Sequence, residues 1–496
     1  MKKRLVFISI IVIILLGIIL CNISLSDSND TFYLIKIGES IFKNGLDLKD
    51  HYSWIAGLSY TYPHWLYSIL IYFIFHNFGF IGIYLGCIIV FIILGIIIYY
   101  VNLKINKSNL LALIITIISM FSLSMFILPR SQSISIIFLF LEVYFIHKLI
   151  NTGKIKYSVY LALCSLIIAN IHATIWIVFF IFFLPFFAEH IVYLICKKKI
   201  LFNKISIDNI ENIKLLIVTF GICLLMGLLT PSRICYTYLF RIMLGNSQNY
   251  ISEHQMLQFL RYPLLIFSCI MLLFNKSKIS LSELLMIGGI VLMTIISERH
   301  IIFFCTIGLL FLSIVLKRNL DNKKDKTFDI LDNKLYYCWK VPVILIIILS
   351  FVSYYIVSNN LKTDFIDKKI YPVDVVSYIK ENLDYENMKI INNYDFGSYL
   401  LFNDIKVFVD SRCDLYLKEF NNQEESILDD YYELFNTKEI LNYNEYLKKY
   451  QADYFLIYKE DLLDNFLSKD SNYRLIYDDE SFSLYHWEGG INENKA

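Results

Sequence analysis

Apolar runs recur along the chain from residue 5 to about residue 358, each near the roughly 20 residues that a helix needs to cross a bilayer. They predict about eleven spans, at 5–25, 79–101, 109–128, 131–150, 156–172, 174–196, 213–230, 260–275, 280–297, 300–317 and 341–358. The stretch 64–101 is too long for one span, and two spans there would reverse the sidedness of every later basic loop. Residues 64–76 therefore read as a surface or re-entrant helix that ends at the break His76-Asn77-Phe78-Gly79. Beyond Asn359 the pattern turns polar and tyrosine-rich. It predicts a helix over Val373–Asn382 and strands over Met388–Asn392, Ile405–Asp410, Tyr454–Tyr458, Tyr473–Tyr477 and Phe482–Trp487. The expected fold is mostly α: a polytopic helical membrane domain at 1–358, with an outer loop bearing surface helices at 26–76, followed by a small α/β domain at 359–496.

The longest well-patterned polar interruption in the N-terminal half is Ser26–Trp65. Asp30 is placed to cap a helix in which Leu34, Ile37 and Ile41 share one face and Lys36, Glu39 and Lys43 the other, with Gly45 as the stop. That pattern predicts a helix lying flat on a membrane surface. Asp50, His51, Trp54, Tyr60, Tyr62, His64 and Trp65 follow, a density of carboxylate, imidazole and aromatic groups that a passive connector does not need. The segment reads as the lip of an active site at the membrane surface.

Composition narrows the class. A 496-residue chain that is 57% hydrophobic, with a mean hydropathy of +0.56, is not a soluble globular protein. The net charge is +1 and no Lys/Arg stripe lies outside the loops between spans, so a nucleic-acid partner is not expected. Ten cysteines are scattered singly without a CxxC spacing and act as small apolar residues. Lys2, Lys3 and Arg4 precede an apolar core longer than that of a signal peptide and lacking a clear cleavage site, which predicts an uncleaved first span. With the N-terminus cytoplasmic, the basic clusters at Lys104/Lys107, Lys148/Lys154/Lys156, Lys197–Lys199, Lys276/Lys278 and Lys317–Lys326 all fall inside. The C-terminal domain is then extracytoplasmic, on a multi-pass protein of the plasma membrane.

The same topology places Pro129-Arg130-Ser131-Gln132, Asn170-Ile171-His172, Thr230–Arg261 and Ser297-Glu298-Arg299-His300 on the outer side. Ionisable groups near membrane depth cost on the order of 2–3 kcal/mol each unless they face one another or a polar cavity, and a shared outward cavity would satisfy them together. Asp30 serves as general base or only as a helix cap, and Asp50 either pairs with it or ends a turn. His64 in Tyr-Pro-His-Trp acts on a substrate phosphate or as an acid–base group, or anchors at the interface. Arg130 and Arg299 suit phosphate, against headgroup snorkelling and pairing with Glu298 respectively. His172 is a catalytic or a buried, hydrogen-bonded imidazole, and Glu253 and His300 complete the outward set of substrate-binding candidates. Outward histidines with Asp30 and Glu253 would suit a divalent cation, but no HxxxH or HxH spacing supports one, and no cofactor is expected. In the C-terminal domain, Asn392–Leu400 and Val407–Asp414 put polar groups where strands should end, explained equally by a site or by turn chemistry with Asp410 and Arg412 paired.

A first helix, an outer loop with an early acid and surface helices, about ten more spans and a C-terminal domain together resemble the C-type (GT-C) glycosyltransferases. That superfamily includes oligosaccharyltransferases, protein mannosyltransferases and aminoarabinose transferases. Asp30–Glu39, Asp50-His51-Tyr52-Ser53, His64-Trp65-Leu66, Pro129-Arg130-Ser131-Gln132, Asn170-Ile171-His172, Tyr394–Leu400 and Phe408–Arg412 are similar to segments of a bacterial and archaeal group of GT-C-like membrane proteins. The resemblance implies transfer of a sugar from a polyprenyl-phosphate-linked donor to a glycan, lipid or protein acceptor among membrane lipids. It makes Asp30 the base and Arg130 and Arg299 ligands of the lipid phosphate. The sequence departs from the mannosyl and aminoarabinose transferases in having Thr31 after Asp30, where they carry an Asp-Glu pair. Alternatives are a lipid-linked polysaccharide polymerase or ligase, a lipid-oligosaccharide transporter and a cell-envelope scaffold. Only 18 glycines and 7 prolines, with charges near span ends, favour surface chemistry over passage.

Overall fold

The computed structural model describes residues 2–21, 28–196, 200–202, 204–237, 263–273, 275–322, 330–331, 334, 337, 340–421, 425–436, 443–459 and 461–489. Two compact units emerge. The first comprises 1–23, 83–236 and 251–363, the second 24–82, 237–250 and 364–496.

In the first unit, apolar helices occupy the expected spans within the described residues. Those of at least 18 residues include Lys3–Leu20, Asn109–Phe126, Ser131–Thr152, Ala173–Cys196, Glu298–Asn322 and Lys340–Asn360, while Ile155–Ile171, Ile213–Leu229 and Leu281–Ile296 are shorter. Small polar side chains join helices where apolar packing alone gives no register. Asn106 Nδ2 donates to Ser313 Oγ at 2.8 Å, and Ser313 Oγ donates to Asn102 Oδ1 at 3.0 Å, all three buried. At one end, strands β1 (Ile200–Phe202), β2 (Ile205–Ser206) and β3 (Ile279–Ser280) form a small sheet, with β2 and β3 parallel.

The second unit contains the early loop together with the C-terminal domain. Composition alone sets the boundary at 358/359 and leaves the loop with the membrane part; here residues 24–82 share one compact unit with 364–496. Its sheet runs β4-β5-β7-β6, from β4 (Ile390–Asn392), β5 (Tyr454–Tyr458), β6 (Tyr473–Asp478) and β7 (Phe482–Trp487). β4 and β5 are parallel, and β7 lies antiparallel to both β5 and β6. The fifth expected strand, over Ile405–Asp410, does not join this sheet. Its backbone pairs with the early loop instead: Val407 N–H donates to the Tyr52 carbonyl at 3.0 Å, and Trp54 N–H donates to the Val407 carbonyl at 3.3 Å. Towards β4 its backbone is met by a side chain. The Asn392 carboxamide accepts from Phe408 N–H and donates to the Val409 carbonyl, both at 2.8 Å, in place of a ladder. Gly397 permits that approach, because a Cβ there would lie 2.1 Å from the Val409 oxygen.

The helix Asp30–Asn44, expected to lie on a membrane surface, has its first half covered by protein. Thr31, Phe32, Tyr33, Leu34, Ile35, Ile37 and Gly38 are buried. Phe32 sits among Tyr371, Tyr399 and Phe402, with ring centroids 4.8, 5.1 and 5.6 Å away. A Cβ on Gly38 would lie 1.9 Å from the Ser68 carbonyl oxygen, so glycine allows the helix that starts at Trp65 to press against this one. That helix breaks at Gly79, whose φ of 59° and ψ of −156° suit glycine alone, at the expected position. Beyond the break it runs on to Asn106.

Candidate active site

Asp30 opens its helix. Sequence pattern makes it the N-cap, but the turn begins earlier: Thr31 N–H donates to the Ser28 carbonyl at 3.1 Å and Phe32 N–H to the Asn29 carbonyl at 3.2 Å. The backbone thus satisfies donors that a capping side chain would otherwise take. Asp30 stands in the first turn, half-buried, where the helix dipole favours a negative charge. On its N-terminal side, Asn29 Nδ2 donates to the Tyr394 carbonyl at 3.0 Å, tying this helix start to the start of the helix Tyr394–Phe402. Asn29 Oδ1 and the Thr31 hydroxyl, which flank Asp30, are buried with no hydrogen-bond partner among the described residues.

The C-terminal domain supplies the surroundings. Asn393 caps its helix by accepting from Asp395 N–H at 3.3 Å. The Tyr431 hydroxyl donates to Asn393 Oδ1 and accepts from Tyr394 N–H, both at 3.1 Å. Burial, with smaller contributions from Cys413 and Asp30, holds the Tyr394 phenol well above its usual range, and burial with Asp30 pushes the Cys413 thiol up to about 12. Both neighbours therefore keep their protons near neutral pH and do not compete as bases.

Asp50, a catalytic candidate from the sequence, lies in a buried ion cluster. Its carboxylate and that of Asp410 flank the fully enclosed guanidinium of Arg412. Arg412 Nε and NH2 donate to Asp410 at 2.9 and 2.7 Å, and NH1 donates to Asp50. The second Asp50 oxygen accepts from Ser53 N–H at 2.8 Å, and the Tyr416 hydroxyl donates to Asp410 at 2.6 Å. Tyr52 and Tyr60 place their rings 5.5 and 5.4 Å from the guanidinium carbon. Burial works against this cation, but Asp410 and Asp50 hold its proton far more tightly than usual. With one hydrogen bond on each oxygen and 1% of its side-chain surface exposed, the Asp50 carboxylate ties the loop into this cluster.

The remaining expected residues fall in both units. His64, half-buried, directly precedes the helix beginning at Trp65 and is in the second unit with Asp30. Arg130, His172, Arg299 and His300 belong to the first. Arg130 precedes the helix Ser131–Thr152. His172 is buried and its Nδ1 lies 3.1 Å from Ser135 Oγ on that helix, which favours the buried, hydrogen-bonded reading. Arg299 is half-buried in the turn Glu298–His300, and His300 Nδ1 lies 3.0 Å from the Met293 carbonyl. Glu253 lies outside the described residues. Among the described residues no group of three or more His, Cys, Asp or Glu side chains is gathered as a metal site.

Within Asp410–Asp414, Asp414 looks from the sequence like one more turn acid. It is half-buried on the turn Cys413–Tyr416, and burial pushes its carboxyl up to about 7. The folded state thus favours the protonated acid. Its stabilising contribution is complete below the unfolded value near 4 and is lost as pH rises through about 7. Asp414→Asn should therefore melt increasingly above wild type from pH 5 to pH 8, by an effect on the order of 1–2 kcal/mol at the upper end. Parallel melting curves across that range would show the acid to be ordinarily solvated.

No protein-family model matches the sequence, and no curated protein matches it. The fold, however, is that of the GT-C-type membrane glycosyltransferases. The oligosaccharyltransferase of Archaeoglobus fulgidus in its apo form superposes with a TM-score of 0.59 at 12% identity, over 90% of this chain and 69% of that one. The same organism's AglB, in complex with an inhibitory peptide and a dolichol-phosphate, gives 0.58 at 11% identity, over 92% and 70%. ArnT from Cupriavidus metallidurans, bound to undecaprenyl phosphate, gives 0.52 at 10% identity and covers 98% of both chains.

Proposed function

We propose that this protein moves a sugar from a polyprenyl-phosphate-linked donor to an acceptor hydroxyl on the outer side of the plasma membrane. The observation that carries the reading is the end-to-end likeness to ArnT bound to undecaprenyl phosphate, over 98% of both chains. In the reaction the acceptor oxygen attacks the anomeric carbon and the bond from that carbon to the phosphate oxygen breaks. The polyprenyl phosphate leaves with the electron pair. Asp30 takes the acceptor proton, and its place in the first turn of a helix rigidly held by Phe32 supports that role, since a base must be positioned before its basicity counts. Arg130 and Arg299 are the residues assigned to the carrier phosphate, where a guanidinium offers two parallel donors. Asp50 keeps the loop in place.

The likeness to archaeal oligosaccharyltransferases supports a second reading, in which the donor carries a preassembled oligosaccharide and the acceptor is a protein. A deletion strain separates the two readings. Loss of a single sugar from lipid or glycan, read by mass spectrometry and restored by the wild-type gene, is the result expected. Loss of whole glycans from proteins would establish the second reading, and an unchanged glycan profile would remove both.

A further inference from the structure

A groove lies along the C-terminal half of the helix Asp30–Asn44, a cavity of about 530 Å³ within the range of small-molecule sites. All its lining residues come from positions 36–62, so it is formed within the second unit alone. The helix contributes Lys36, Glu39 and Lys43 to the lining, and the loop after it contributes Asp47, His51, Tyr52 and Tyr62.

The charges are balanced and already paired. Lys36 meets Glu39 at 3.0 Å and Asp404 at 2.6 Å, Lys43 meets Glu39 at 2.6 Å, and His51 Nε2 lies 3.0 Å from Asp47. Burial works to lower the Lys36 ammonium, yet Asp404 and Glu39 hold it above the usual lysine range. A phosphate or an ammonium entering this groove would have to compete with an internal counter-ion at each step. A hydroxyl group would not, because it donates to a carboxylate lone pair and accepts from an ammonium hydrogen that the pair leaves over. Phenol rings beside such pairs suit a ligand with an apolar C–H face and a hydroxylated rim.

We infer that this groove binds a neutral oligosaccharide, through its alternating ammonium and carboxylate groups and its two tyrosine rings. Resting on the transferase reading, the oligosaccharide is the acceptor, a neutral glycan and not a peptide or an anionic lipid. The groove lies beyond the first turn that carries Asp30, so it would hold a part of the acceptor remote from the reacting hydroxyl, where binding energy serves positioning.

The test measures binding in the absence of donor. Purified full-length protein in detergent is titrated with maltotriose, mannotriose and chitotriose, and separately with inorganic phosphate and an acidic peptide, by saturation-transfer NMR and calorimetry. At least one trisaccharide should bind saturably. A Lys43→Ala/His51→Ala variant, whose changes lie at exposed positions, should melt like wild type and bind that trisaccharide about tenfold more weakly, the effect of losing one or two ordinary hydrogen bonds. Absence of binding by all three sugars, equal binding by the variant, or displacement of sugar by phosphate or peptide would each overturn the inference. Asp30→Asn separates it from the transferase reading. Glycan binding kept in Asp30→Asn with transfer lost is the result expected when both readings hold; glycan binding by wild type that has no transfer activity would refute only the transferase reading, whereas transfer by wild type without glycan binding would refute only this site.

Discussion

Asp30→Asn is expected to abolish sugar transfer while leaving the protein folded. Losing a positioned general base lowers rate by roughly 10²–10⁴. Asparagine is isosteric with aspartate, and removing a charge from an exposed or half-buried first turn costs only about 0.3–1 kcal/mol. The local geometry supports this separation of effects. Thr31 and Phe32 N–H groups are bonded to the Ser28 and Asn29 carbonyls, so the helix start does not depend on an Asp30 cap. Phe32 in its aromatic cluster and Gly38 against Ser68 fix the helix independently of Asp30. The measurement is complementation of a deletion strain, with surface glycans read by mass spectrometry and the amount of each protein in the membrane checked. Melting temperatures of purified wild type and variant complete it. Full complementation by Asp30→Asn would leave Asp30 as a helix-end charge and require another base, for which half-buried Asp414 is the next candidate.

Much of the architecture could be read from the sequence because its signals are local. A run of apolar residues of bilayer length needs no knowledge of its neighbours, and Gly79 announces a break within its own stretch. Asp410 and Arg412, two positions apart, could be recognised as a pair for the same reason. Their third partner could not: Asp50 is 362 residues from Arg412. A similar distance separates Ile405–Asp410 from its partner backbone. Its alternation of apolar residues is that of a strand, but the backbone it finds is Tyr52–Trp54, and the side of β4 is closed by an asparagine side chain. The helix Asp30–Asn44 shows the converse. An amphipathic stripe next to a membrane span suits a lipid surface and a protein surface equally well, and only tertiary packing of Phe32 and Gly38 decides between them. Asp414 is not legible in the sequence, because burial and not sequence context makes it unlike its neighbours.

Arg412→Leu is expected to be the most destabilising single change in the second unit, by about 3–5 kcal/mol. Its guanidinium and both partner carboxylates have between 0% and 1% of their side-chain surface exposed. Removing the cation leaves two buried carboxylates facing each other without a counter-ion, and they must ionise at great cost or take up protons. Lysine does not replace it well, since one ammonium cannot reproduce the planar fork that serves Asp410 twice and Asp50 once. The consequence extends to the loop. Asp50 anchors the segment that continues through Ser53, whose hydroxyl donates to the Val407 carbonyl at 2.9 Å, and Trp54, whose indole N–H donates to the Ile390 carbonyl at 3.0 Å. Losing the ion cluster should therefore expose residues 45–60 to protease before the membrane helices are affected. Asp50→Asn should show a smaller form of the same change, and the two substitutions together should cost less than their sum, because each disrupts one shared network. Limited proteolysis with mass-spectrometric mapping and melting curves of the three variants measure these effects. Additive losses, or an Arg412→Leu protein that melts and resists protease like wild type, would mean that the loop is held by its apolar contacts alone. If the network does hold it, the position of Asp30 depends on the C-terminal domain, and transfer should fail with rising temperature in Arg412→Leu at the point where the 45–60 segment becomes cleavable.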